Sequence, residues 1–128
     1  MQKLIRAALE ARKNSYSPYS GYSVGAAILC KDGSIFTGCN IENASYGATM
    51  CAERTALFTA VAAGHRDFEA IAIVGGKKNE VDLPYPYGIC RQVLSEFCGR
   101  DFKVMVAKSI NDFEEHTLGS LLPYSFSL

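Results

Sequence analysis

The sequence predicts an α/β fold, a three-layer α/β/α sandwich built on a mixed sheet of about five strands. Two observations lead to this prediction. Two apolar stretches of strand length are joined by a short polar turn, and after that pair helical and strand-like patterns alternate along the chain. A hairpin followed by such alternation places antiparallel and parallel strands in one sheet, with helices on both of its faces.

The overall properties exclude several classes of protein. The chain has 128 residues, of which 48% are hydrophobic, so we expect residues 1–128 to form a single domain with a sizeable core. Its formal net charge is zero, which gives no general attraction to nucleic acid or to anionic membranes. No apolar run is typical of a signal peptide or a transmembrane helix. Five cysteines without a regular framework suit a reducing compartment, so we expect a cytoplasmic protein.

The first elements follow from the spacing of apolar residues. Residues 2–13 carry apolar side chains at helical spacing and predict a surface helix. The polar turn at residues 31–34 joins strands predicted at residues 22–30 and 35–39. Residues 40–49 contain turn-forming residues and predict a loop.

The second part of the chain alternates. The predicted elements are a helix from about Met50 to the stop at Gly64, a buried strand at residues 68–75, a helix after Gly88, a strand at residues 103–107, a short edge strand at residues 113–118, and an apolar tail at residues 121–126. Such a tail is too apolar for a free terminus and indicates a surface that meets a partner.

The first turn of the helix after residue 50 differs from the rest of that helix. It carries Cys51, Glu53 and Arg54. The unpaired amides and positive dipole of a helix N-terminus lower the pKa of a thiol, which makes it a better nucleophile or metal ligand. Helical side chains tilt toward the N-terminus, so Glu53 can share a cavity with Cys51. Taken alone, Cys51 would be a structural thiol, and Glu53 would be a helix-dipole stabiliser worth under about 1 kcal/mol.

A second cysteine has the same setting. Prolines and Gly88 exclude a helix over residues 84–88, so Cys90 falls near the start of the helix that follows. Two helices that present thiols from their first turns could close on one metal ion. A zinc ion held in this way would keep an open position for water and lower the pKa of that water to about 7.

The chain closely resembles the small homotetrameric cytidine deaminases, from about Tyr16 to Phe126. The resemblance rests on four motifs: Val24-Gly25-Ala26-Ala27, Asn40-Ile41-Glu42-Asn43, Cys51-Ala52-Glu53-Arg54 and Gly88-Ile89-Cys90-Arg91-Gln92. It implies a cytidine deaminase-like fold and zinc-dependent hydrolytic deamination of cytidine or deoxycytidine to uridine or deoxyuridine plus ammonia, within pyrimidine salvage. It also implies a homotetramer that acts on small nucleosides, with no nucleic-acid or membrane partner.

The resemblance also implies a role for individual residues. Glu53 is the expected catalytic residue, which moves protons between water and the cytosine, and Arg54 is expected to donate hydrogen bonds to the ligand thiolates. The expected metal ligands are Cys51, Cys90 and the residue at position 87, where this chain has Tyr87. The expected substrate-binding residues are Tyr22, Asn40, Glu42, Ala52 and Phe126.

Tyr87 is a departure from the family, which has a cysteine at this position. Two alternatives therefore stay open beside the deaminase. One is a nucleoside-binding protein on the same fold with impaired catalysis, and the other is a deaminase of a modified nucleoside. The remaining cysteines and histidines are predicted to be structural: Cys30, Cys39, Cys98, His65 and His116.

Overall fold

The protein is described from a computed structural model that covers all residues, Met1–Leu128. Its helices are α1 (Gln2–Arg12), α2 (Ala52–Ala62), α3 (Gly88–Phe97) and α4 (Leu118–Leu121), with a 3₁₀ turn at Tyr46–Ala48. Its strands are β1 (Tyr22–Cys30), β2 (Ile35–Cys39), β3 (Phe68–Lys77), β4 (Lys103–Ser109) and β5 (Asp112–Thr117).

All five strands belong to one mixed sheet in the order β2-β1-β3-β4-β5. Strand β1 is antiparallel to both β2 and β3, and β4 is antiparallel to β5. Strands β3 and β4 are parallel, because α3 lies between them and returns the chain to the same end of the sheet. The predicted α/β fold with a mixed five-stranded sheet is confirmed.

Two apolar clusters separate the three layers. The smaller cluster packs α1 on one face of the sheet, through Leu4, Ile5, Ala8, Ala27, Ala70, Ala72, Val74, Met105 and Ala107. The larger cluster packs α2 and α3 on the other face; its largest fully buried members include Ile28, Leu57, Ile71, Ile73, Leu94, Val104 and Val106. Adjacent residues of β1 and β3 contribute to opposite clusters, as the two-residue period of a strand requires.

Glycines let two helices approach the sheet closely. A Cβ at Gly25 would collide with the backbone of α1 at Ala8 and Arg12. A Cβ at Gly38 would collide with the backbone of α2 at Ala56 and would lie 2.8 Å from the Ala52 carbonyl oxygen. These contacts fix the height of both helices over the sheet, and the second one fixes the N-terminal end of α2.

Helix α1 is more than the surface helix that the sequence predicts. Its Arg12 guanidinium donates hydrogen bonds to the carbonyl oxygens of Ser23, Gly76, Lys77 and Glu80, the first at 3.0 Å. Helical spacing shows which residues share a face of the helix. It cannot show that Arg12 will bind four carbonyl groups from distant parts of the chain. Arg12 therefore ties the end of β3 and the segment after it to α1.

Two other features differ from the expected pattern. Strand β3 extends to Lys77, beyond the predicted end at residue 75. Helix α4 forms where the sequence predicts the end of an edge strand and the start of an apolar tail. The side chain of Thr117 accepts a hydrogen bond from the Ser120 amide at 3.2 Å and so caps this one-turn helix. None of the helices combines the length and apolar content needed to cross a membrane.

Candidate active site

The candidate site is built at the N-terminal end of α2. Cys51 is the N-cap residue, with an extended backbone (φ −77°, ψ 153°), and Ala52 and Glu53 behind it are buried. The close contact between Gly38 and α2 places this end of the helix over β2. The predicted helix start is therefore found one residue after Cys51, and the thiol lies where helix amides have no partners.

Cys90 is brought to the same place by α3. It lies in the first turn of that helix, is fully buried, and forms a hydrogen bond with Cys51. The side chain of Arg91 secures the approach to this turn, since it donates to the carbonyl oxygens of Pro86 and Leu121, each at 2.7 Å. The structure thus brings together two thiols that are separated by 39 positions in the sequence.

The pKa values of the two thiols are shifted in opposite directions. The hydrogen bond from Cys90, helped by Arg54, lowers the pKa of Cys51 to about 6. The same hydrogen bond and burial raise the pKa of Cys90. The arrangement therefore favours a thiolate at Cys51 at neutral pH, and a thiolate is the form that binds metal.

Arg54 supports that thiolate. Its guanidinium Nη2 donates to Cys51 Sγ at 3.4 Å, and this contact raises the pKa of the arginine. Its Nε is buried without a hydrogen-bond partner. A buried N–H without an acceptor is costly, and this one belongs to the guanidinium that contacts the Cys51 thiol.

Glu53 is the one strongly buried acid of the protein, with 5% of its surface exposed. Desolvation raises its pKa to about 7, although hydrogen bonds from its own amide and from the Tyr87 amide act in the opposite direction. A carboxyl group with such a pKa can both accept and release a proton near neutral pH.

Glu53 and Cys51 line a cavity of about 510 Å³. This volume is within the range of small-molecule binding sites. Its walls come from β1, the segments before α2 and α3, and the start of α2: Tyr22, Val24, Asn40, Thr49, Met50, Cys51, Ala52, Glu53, Leu83, Pro84, Tyr85 and Tyr87. The predicted site residues Tyr22, Asn40 and Ala52 are thus brought together with Glu53.

Asn40 is held firmly at the edge of this cavity. Its Oδ1 accepts from the Val24 amide at 2.9 Å and from the Ser15 hydroxyl, and its Nδ2 donates to the Tyr22 carbonyl at 2.8 Å. Since an amide nitrogen carries two hydrogens, one N–H remains for a ligand.

Glu42 lines a neighbouring cavity of about 280 Å³ instead, which shares Thr49 with the larger one. Its carboxylate accepts hydrogen bonds from the Ser20 hydroxyl and from the amides of Tyr19 and Ser20. These bonds, above all the one from the Ser20 hydroxyl, lower the pKa of Glu42. The two polar residues of the predicted sugar-binding pair therefore lie in adjoining cavities.

Tyr87 and Phe126 differ from the other predicted residues in their exposure. Tyr87 is the N-cap of α3 and lines the cavity, but 58% of its surface is exposed. Phe126 is 66% exposed and does not line the cavity of its own chain; its carbonyl oxygen accepts a hydrogen bond from Gln92 at 3.1 Å.

The residues at the two helix starts provide two suitable ligands for a zinc ion. Two thiols close enough to share a hydrogen bond, at the starts of two helices and beside an arginine with a free N–H, are suitable donors for zinc. Cys51 and Cys90 are the thiols that would hold it. The donor set has a half-exposed phenol at Tyr87 where a third thiol would complete three protein ligands.

Some walls of the cavity were not predicted from the sequence. Leu83, Pro84 and Tyr85 line it from the segment before α3, and Met50 and Thr49 line it from the segment before α2. The proline-rich segment indicated a loop, yet its place against the cavity depends on tertiary contacts, since Asp82 pairs with Gly75 and a Cβ on Gly75 would lie 3.3 Å from Pro84.

Comparison with known proteins gives consistent matches over the whole chain. Residues 1–107 match the family described as the cytidine and deoxycytidylate deaminase zinc-binding region. A cytidine deaminase of Halalkalibacterium halodurans is 52% identical over 98% of this chain and 93% of its own length. A cytidine deaminase of Sporosarcina psychrophila is 47% identical over 99% of this chain and 91% of its own. The crystal structure of a Burkholderia pseudomallei cytidine deaminase superposes with a TM-score of 0.87 at 47% identity, covering 97% of each chain.

Proposed function

Because the chain belongs to the cytidine and deoxycytidylate deaminase family, we propose that it catalyses the zinc-dependent hydrolytic deamination of cytidine and deoxycytidine to uridine and deoxyuridine, with release of ammonia. The observation that carries this proposal is the burial of Glu53 beside the Cys51–Cys90 pair, at the wall of a nucleoside-sized cavity. We propose that residues 1–128 act as one domain in this reaction.

Glu53 is the residue that moves protons. Zinc bound by Cys51 and Cys90 would supply a Lewis acid that lowers the pKa of water to about 7. The Glu53 carboxylate takes a proton from the attacking water, and the water oxygen bonds to C4 of the cytosine. Glu53 delivers this proton to N3. It then takes the proton of the new hydroxyl at C4 and passes it to the exocyclic amine, so that the C4 carbonyl forms, the C4–N bond breaks and ammonia leaves. The pKa of about 7 suits Glu53 to both directions of transfer.

Neighbouring residues orient the substrate. The ring of Tyr22 offers a face on which the pyrimidine can stack. Asn40, with one N–H left, and Glu42 in the adjoining cavity offer hydrogen bonds to the ribose hydroxyls. This pair favours a nucleoside over the free base. Arg54 offsets the negative charge of the thiolate at Cys51.

The test of this function is an absorbance assay with cytidine, deoxycytidine and free cytosine, run on protein whose zinc content is measured in parallel. We expect turnover of both nucleosides and little turnover of the base. Binding of cytidine by zinc-loaded protein without turnover would favour the nucleoside-binding alternative. Turnover confined to a cytidine analogue would favour the modified-nucleoside alternative.

We further propose that the enzyme acts in pyrimidine salvage, in the cytoplasm, as a homotetramer. All five cysteines are free thiols, which favours a reducing compartment. The exposed aromatic residues Tyr124 and Phe126 support an assembly, because a patch of this kind marks an interaction surface. In this arrangement Phe126 would reach the site of a neighbouring subunit.

Light scattering should therefore give four chains per particle, and a fully active monomer would rule the proposal out. A complementation experiment tests the shared site directly. Phe126→Ala and Glu53→Gln chains should each have low activity, and mixing them should restore part of it, since some sites would combine an intact Glu53 with a neighbour's intact Phe126. Mixing without any gain would place Phe126 outside the neighbour's site.

A further inference from the structure

A second group of potential ligands lies outside the candidate active site. The thiol of Cys30, the carboxylate of Asp32 and the imidazole of His65 each have a ligand atom within 4.8 Å of the other two. His65 Nδ1 is 3.6 Å from Asp32 Oδ2. Sulfur, nitrogen and oxygen donors from two separate parts of the chain therefore lie close together.

Each of the three side chains is positioned by its surroundings. Cys30 is the last residue of β1 and is buried, at 1% exposure. Asp32 lies in the hairpin turn, where its Oδ1 accepts the Ser34 amide at 2.9 Å and leaves Oδ2 available. His65 follows the end of α2, and its ring packs against Phe36 with 5.0 Å between the ring centroids. The cluster thus joins the β1–β2 turn to the α2–β3 connection.

This cluster is at the far end of the elements that build the candidate active site. Tyr22 begins β1 and Cys30 ends it, which at about 3.3 Å per residue separates them by about 26 Å. Cys51 caps the start of α2, whereas His65 lies beyond its other end, about 20 Å away at 1.5 Å per residue. The Cys30–Asp32–His65 cluster and the Cys51–Cys90 pair therefore cannot serve the same ion.

We propose that Cys30, Asp32 and His65 form a second metal site, for a divalent ion of the Zn²⁺ class. Thiolate and imidazole donors select zinc-like ions over Mg²⁺ and Ca²⁺, which prefer oxygen donors. Zinc bond lengths of about 2.0–2.3 Å put tetrahedral ligands about 3.3–3.8 Å apart, so the 3.6 Å spacing of His65 and Asp32 already fits.

The remaining adjustment is small, and the path for the ion is open. Asp32 is exposed on the hairpin turn, so its carboxylate can rotate toward the other two donors. Exposure falls from Asp32 through His65 to Cys30, so an ion enters from solvent and reaches the buried thiol last. Binding displaces the thiol proton of Cys30 to solvent, and water fills the fourth position.

The number of ions bound per chain tests this proposal. Full-length protein is saturated with Zn²⁺ by equilibrium dialysis, and the same samples are repeated with Co²⁺ so that thiolate coordination is visible in the absorption spectrum. We expect the native chain to bind one more ion than His65→Gln or Asp32→Asn. Both substitutions are at positions outside the buried core, so folding of the variants does not decide the outcome.

Two cysteine variants assign the sulfur ligand. Cys30→Ser should lose the same ion and part of the Co²⁺–thiolate absorption, whereas Cys39→Ser, which removes a half-buried thiol on the adjacent strand, should match the native chain. Zn²⁺ should also raise the unfolding temperature of the native chain more than that of His65→Gln. An equal number of bound ions in the native, His65→Gln and Asp32→Asn chains would overturn the proposal.

Discussion

Replacement of Glu53 by glutamine is expected to lower kcat for cytidine by about 10³-fold or more, because an amide cannot take a proton from water and deliver it to the base. The fold should survive this change. Glu53 is 5% exposed, and burial raises the pKa of its carboxyl group, so a neutral amide of the same shape costs less to bury than the charged carboxylate. The measurements are steady-state kinetics, thermal unfolding and zinc analysis of the same preparation.

The matched control is Glu69→Gln, which makes the same chemical change at an exposed position of β3. We expect native activity from this variant, and a native unfolding temperature and zinc content from both. If Glu53→Gln retained kcat within tenfold of the native value, Glu53 would not be the proton carrier and the proposed mechanism would fail.

Replacement of Tyr87 by cysteine should strengthen zinc binding. A neutral phenol is a poor zinc ligand compared with a thiolate, so the native chain offers only the thiols of Cys51 and Cys90. The gain should be on the order of 100-fold in affinity, since even groups outside the ligand set change metal affinity by 10–100-fold. The Tyr87 amide donates to Glu53, and this backbone contact is kept in the variant. Competition with a chelator measures the affinity.

Tyr87→Ser is the matched control, because it removes the aromatic ring without adding a thiol. Zinc retention should therefore rise in Tyr87→Cys and not in Tyr87→Ser, and at limiting zinc the activity should follow retention. If the native chain already held one zinc ion as tightly as Tyr87→Cys does, two protein thiolates would be sufficient and the proposed weakness of the native site would be wrong.

The layer structure could be predicted from the sequence because local patterns determine it. The period-two and helical spacings placed the main elements close to their observed bounds, and the turn at residues 31–34 separated the two strands of the hairpin. The short helix α4 could not be found in this way, because four residues do not establish a helical period. The function of Arg12 depends on carbonyl groups up to 68 positions away, which no local pattern contains.

The part of the candidate site that lies at helix N-termini could be predicted from the sequence. Cys51 and Cys90 each fall at or just inside a helix N-terminus, and such positions can be read from residue types alone. The Cys30–Asp32–His65 cluster could not be predicted, because its members are ordinary residues of a strand, a turn and a linker. Their proximity arises only when β1 and α2 pack against each other.

The strand order also has a consequence for synthesis of the protein on the ribosome. Strand β3 ends at Lys77, but its parallel neighbour β4 begins only at Lys103. A nascent chain that has emerged as far as Lys77 can pair β3 with β1, while the other edge of this apolar strand has no neighbour. An unpaired apolar edge is a template for pairing with other chains. The growing polypeptide is therefore most open to aggregation after Lys77 has emerged from the ribosome and before residues 78–107 have emerged.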